Sequence, residues 1–129
     1  MLLTTMIFAG IAAVIHVYIF VLESLRWDRP STRRAFGIKT DAEASATKPL
    51  AFNQGFYNLF LAVMAAVGII AAAAGHHGVG VALILAGCGS MLAAGLVLLI
   101  SSPSKAKSAL TQLAFPLVAV VLAIVWLAA

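Results

Sequence analysis

Four long apolar runs set the limits on what this chain can become. They cover about residues 2–26, 49–74, 79–101 and 108–128, with few charged side chains inside them. A helix rises about 1.5 Å per residue, so about 20 apolar residues cross the roughly 30 Å of bilayer hydrocarbon. Each run reaches that length. In hydrocarbon every backbone N–H and C=O must be bonded within the protein, which a helix achieves by itself. The expected fold is therefore an all-α, integral membrane four-helix bundle, a single transmembrane domain over residues 1–129. Composition excludes the soluble alternative. With 64% hydrophobic and 9% charged residues, too few polar groups remain to build a wetted shell.

The formal charge of +4 and a pI near 9.7 invite a nucleic-acid reading, but the placement of the charges opposes it. Arg26, Arg29, Arg33, Arg34, Lys39 and Lys48 flank or occupy the first connection, and Lys105 and Lys107 the third. All eight basic residues thus fall on one side of an even-numbered bundle. Cytoplasmic loops carry the Lys/Arg excess, so loops one and three are expected in the cytoplasm and both termini outside. The implied partner is the lipid bilayer, with no nucleic acid, and the implied location is a cell membrane with loops one and three on its cytoplasmic face. The opening Met1-Leu-Leu-Thr-Thr-Met6 has no basic residue and leads into a run longer than a signal-peptide core, so it reads as a span.

The connections carry weaker signals. Trp27 is expected at headgroup level, where indoles favour the interface. Residues 28–47 read as a polar loop, with Phe36 and Ile38 dipping into the interface, and Pro49 reads as the first turn of span two. Gly75-His76-His77-Gly78 reads as a solvated turn: two histidines without a third ligand make a poor metal site, so no metal centre is expected. Gly87, Cys88, Gly89 and Gly95 read as small packing residues of span three. Trp126 reads as an anchor at the far interface.

Two polar clusters interrupt this apolar pattern. The first is His16-Val-Tyr-Ile-Phe-Val-Leu-Glu23, followed by Trp27; the second is Asn53-Gln54-Gly-Phe-Tyr57-Asn58. His16, Phe20, Glu23 and Trp27 are spaced 4, 3 and 4 apart and share a helical face. Asn53 with Tyr57, and Gln54 with Asn58, do the same on span two. Counting depth from Arg26 and Lys48 puts Glu23 and Asn53 within about 8 Å of the loop, and His16 and Asn58 about 15 Å in. Gln112 counts to about 8 Å from Lys107. Polar groups matched level by level predict a pocket opening toward the cytoplasm. Ionisable groups at membrane depth are costly and face a protein interior or a water-filled cavity. His16 and Glu23 are therefore the expected acid–base or catalytic pair, with Trp27, Asn53, Gln54, Tyr57, Asn58 and Gln112 orienting a ligand. The competing reading is structural, since interhelical hydrogen bonds of about 0.6 kcal/mol each hold bundles together without further purpose.

On these two motifs the chain resembles a bacterial family of four-span membrane proteins catalogued as a domain of unknown function, number thirteen-oh-four. The resemblance, which includes Leu59-Phe-Leu-Ala62, runs along nearly the whole chain and implies the four-span architecture and one shared polar site. The chain is also similar in architecture to the membrane-associated eicosanoid and glutathione metabolism proteins. That likeness implies a homo-oligomer, specifically a trimer with sites between subunits, and a haem held by His16 as one occupant. Those glutathione-binding proteins carry arginines and tyrosines on their later spans; here spans three and four have none, which argues against a glutathione transferase. Three functions remain: binding or converting a small apolar or amphipathic molecule, exporting one coupled to protons, or serving as a structural or regulatory subunit. The exporter ranks lower because Glu23 lies near a helix end and the charge bias is one-sided.

Overall fold

A computed structural model describes residues 1–129, all helix and connection with no strand. Helix α1 (Leu2–Phe20) runs directly into a π-helical turn (Val21–Leu25). The short α2 (Pro30–Phe36) follows, then α3 (Asp41–Ala73), α4 (His77–Ser101), a 3-10 turn at Pro103–Lys105, and α5 (Ala106–Ala128). Four segments are long and apolar enough to cross a membrane: Leu2–Leu25, Asp41–Ala73, His77–Ser101 and Pro103–Ala128. They pack as a ring in which α1 touches α3 and α5, and α4 touches α3 and α5. Neighbours in sequence are neighbours in space, so the four long helices run up and down.

Small side chains make the ring close. Ala9, Ala12, Ala65 and Ala119 have no exposed surface, and only Ile84 and Met91 bring large fully buried side chains to the same cluster. Side-chain removal goes furthest between α3 and α4. A Cβ on Gly68 would stand 2.8 Å from Gly80 O, and one on Gly80 would stand 2.7 Å from Gly68 O. Backbones that approach this closely gain van der Waals contact without a hydrophobic driving force, which is how helices associate in lipid. Gly87 and Gly95 also face neighbouring helices, whereas Gly89 faces open space and packs against nothing. Outside the core, Leu3, Val14, Ile70 and Ile100 are each more than 60% exposed. A surface of this kind is untenable in water and matches hydrocarbon.

Two expectations are corrected at the first connection. Residues 41–48 are helical, so α3 begins at Asp41 and Pro49 lies inside it. The start is set by Thr40, whose hydroxyl accepts from Glu43 N at 3.1 Å, while Glu43 Oε2 accepts from Lys39 N at 3.0 Å. The first bond satisfies one of the donors left free at the helix start, and the second ties the residue before the cap to the first turn. Trp27, expected against headgroups, is 7% exposed and turned into the protein. Its indole N–H donates to Ala44 O at 3.0 Å and its ring meets Phe36 at 5.1 Å. A buried indole needs an acceptor, and the helical residues 41–48 supply it. Trp27 thereby ties α2 and the start of α3 to the end of the first span.

Candidate functional site

The π-helical turn at Val21–Leu25 is the local peculiarity from which the site follows. A π-turn closes i to i+5, is rare, and most often appears as a single turn near functional groups. Its wider circumference lets two consecutive side chains face the same neighbour. Glu23 Oε2 accepts from Asn58 Nδ2 at 2.9 Å, and the Ser24 hydroxyl donates to Phe52 O at 2.8 Å, both on α3. Gly55 lies between these two bonds. A Cβ there would stand 2.1 Å from Ser24 Oγ and 3.1 Å from Glu23 Cβ, so only glycine admits the pair. Asn58 is itself held, its Nδ2 also donating to Gln54 O at 3.2 Å.

A cavity of about 480 Å³ opens beside this junction, at the end of the bundle that carries the first and third connections. Glu23 and Ser24 form one wall; Ser45, Lys48 and Phe52 line the α3 side, and Trp27 the floor near the loop. Pro49 lies in the same wall. Proline has no N–H, so the carbonyl four residues earlier, that of Ser45, loses its helical donor at the cavity. At the rim, Lys48 is paired with Asp28. Glu23 is 9% exposed and its Oε1 has no partner within the chain, leaving one carboxyl oxygen for whatever occupies the space.

Depth counting placed Glu23 opposite Asn53; the carboxyl instead meets Asn58, one turn deeper. Gly55 is the α3 residue level with Glu23 and Ser24, and Asn58 reaches the carboxyl because helix side chains slant back toward the N-terminus. Asn53, Gln54 and Tyr57 are exposed on α3 and do not join the Glu23–Asn58 bond. Gln112 is half-buried on α5 and packs against Gly95 of α4. Trp27 lines the cavity. His16 is 2% exposed, and its Nδ1 bonds Ala12 O on its own helix at 2.9 Å. It forms no ion pair or hydrogen bond with Glu23.

Ser24, Ser45, Asp28 and Lys48 escaped the sequence reading as site residues. Ser24 follows Glu23 directly, and consecutive residues point about 100° apart on an α-helix, so helical periodicity assigns it elsewhere. Gly55, lying inside the second polar cluster, was the one signal that something approaches α3 closely there.

Curated proteins and solved structures return no match, so the eicosanoid-protein likeness rests on the sequence pattern alone. The profile of the family described as "Protein of unknown function (DUF1304)" matches residues 10–124, which include α3, α4 and the whole Glu23–Asn58 junction. With nearly its full length matched and four span-length helices, the chain is a multi-pass membrane protein belonging to that family.

Proposed function

We propose that this protein binds, and in that sense handles, a small amphipathic molecule in the cavity beside Glu23. The observation that carries the reading is the unpartnered Glu23 Oε1 in a mixed polar and apolar cavity, with the rest of the side chain fixed by Asn58 over Gly55. A binding site needs a few well-placed polar groups in a largely apolar lining. Here the carboxyl, the freed Ser45 carbonyl and the Lys48–Asp28 pair supply the polar groups, and Trp27, Pro49 and Phe52 the apolar ones. Glu23 is the group that would contact the ligand. His16, bonded to its own backbone, serves packing at the midplane in this reading. The protein is placed in the bacterial inner membrane with its charged end toward the cytoplasm, as the Lys/Arg bias supports. The cavity is open at its outer side, and a neighbouring copy in a homo-oligomer would complete its wall.

The test is purification in mild detergent followed by native mass measurement. The wild type should show a homo-oligomer carrying an extra small mass, or take one up when a long-chain amine is added. Glu23→Gln and Asn58→Ala should keep the oligomer and lose the added mass. Retention of the mass in Glu23→Gln would remove the carboxyl from the site. A wild type that binds nothing but drives proton flux with a substrate in vesicles would replace this reading with export.

A further inference from the structure

The cavity beside Glu23 shares the seam between α1 and α3 with a second opening. The second is an apolar groove of about 380 Å³ nearer the midplane. Val14 and Val17 of α1 and Val63 and Ala66 of α3 are among the residues lining it, with almost no polar surface. Its floor is deep because α1 contributes Gly10 there, whose missing Cβ would only just meet Ile69 Cδ1, at 3.8 Å. Between the two openings the seam is bridged by Phe20 of α1 against Phe56 of α3, ring centroids 5.1 Å apart and edge to face. Phe56 in turn meets Phe52, which lines the cavity, at 5.1 Å. Val63 follows Phe56 by two helical turns and so lies on the same face of α3. One seam therefore presents, in order, a polar cavity, an aromatic bridge and an apolar groove.

Resting on the cavity reading above, we infer that the occupant is a single-chain lipid, its headgroup at Glu23 and its one acyl chain lying over the Phe20–Phe56 bridge into the groove. The lengths agree. From Glu23 to Val14 is nine residues, about 14 Å of helix, or about half of the roughly 30 Å hydrocarbon thickness. That is the reach of one chain in one leaflet. A single groove accommodates one chain, which excludes ordinary two-chain phospholipids. The head is an amine or a hydroxyl rather than a phosphate. Glu23 offers an unpartnered carboxyl oxygen to a donor, whereas the cavity's lysine, Lys48, is already neutralised by Asp28.

Indole quenching tests this in nanodiscs. The chain has two tryptophans, and Trp126→Phe leaves Trp27, at the cavity, as the reporter. A second reporter comes from adding Val14→Trp to Trp126→Phe and reading the emission it adds over Trp126→Phe alone, at a groove residue 70% exposed. Long-chain primary amines are used with a nitroxide either near the amine or near the chain end. The head-proximal label should quench Trp27, and the chain-end label the indole introduced by Val14→Trp. In both cases a tenfold excess of unlabelled amine should reverse the quenching, while the same excess of a single-chain phosphatidylglycerol should not. Competed quenching at Trp27 without competed quenching at position 14 overturns the groove and leaves the cavity standing. No competed quenching at either position overturns both. Equal competition by the phosphate-headed lipid overturns the head assignment. Should Val14→Trp fail to assemble, Val63→Trp on the opposite wall reports the same outcomes.

Discussion

The two ends of the bundle solve the problem of helix association in opposite ways. At the end with the α3–α4 turn there is no charged side chain, and α3 and α4 meet through Gly68 and Gly80 with backbone almost on backbone. At the other end lie all eight basic and all four acidic residues. There the helices are held by named polar bonds: Glu23 to Asn58, Ser24 to Phe52, Trp27 to Ala44, and Lys48 to Asp28. At the turn end backbone meets backbone and leaves no room; at the charged end polar links cross over Gly55 with a cavity beside them. The contrast separates what holds the molecule together from what makes room in it.

That separation can be broken by substitution. The largest effect on stability is expected from Gly68→Val, because the atoms it would meet, Gly80 O and Ile84 N, are backbone and cannot swing aside. Overpacking of this kind costs about 1–3 kcal/mol or more. Thermal unfolding in detergent should show it, while the fraction that remains folded binds amphiphile as before. Gly55→Ala should do the reverse. Its closest neighbour is the Ser24 hydroxyl, a movable atom, so the loss of stability is expected to be smaller, about 1 kcal/mol. Binding should fall at least tenfold, because Glu23 and Ser24 can no longer both face α3. If Gly55→Ala binds normally, the cavity does not depend on the π-turn geometry. Thr40→Ala removes the cap of α3 and should cost about 1 kcal/mol, measured as a lower unfolding midpoint. Smallest of all, Asp28→Asn breaks a rim pair whose side chains are both more than half exposed, and should change stability by less than about 1 kcal/mol.

The number of spans and the helical class were legible because about 20 consecutive apolar residues have few other uses in a chain this short. The start of α3 was legible in principle. Thr40-Asp-Ala-Glu43 carries the spacing of a capping box, but the apolar run begins only at Pro49 and drew the boundary there. That Glu23 and the Asn58 motif meet followed from matched depth and opposite direction. Which of the four polar residues on α3 meets Glu23 did not follow, since helix rotation is set by packing and not by span length. The π-turn leaves no mark in Val-Leu-Glu-Ser-Leu, yet it decides that Ser24 joins Glu23. His16 shows the same gap: its position on the inner face was readable, its bond to Ala12 was not.

The widened turn also acts as an expansion joint. Above it, α1 is locked into the alanine core through Ala9, Ala12 and Ala13; below it, Trp27 is locked to Ala44. A regular α-helix joining two such fixed points would have to satisfy both rotational settings with one residue count. The π-turn takes up the mismatch within five residues. Deleting one residue between Val21 and Leu25 would return the joint to a regular α-helix between the same two ends, and the loss would fall on the two bonds to α3 made within it.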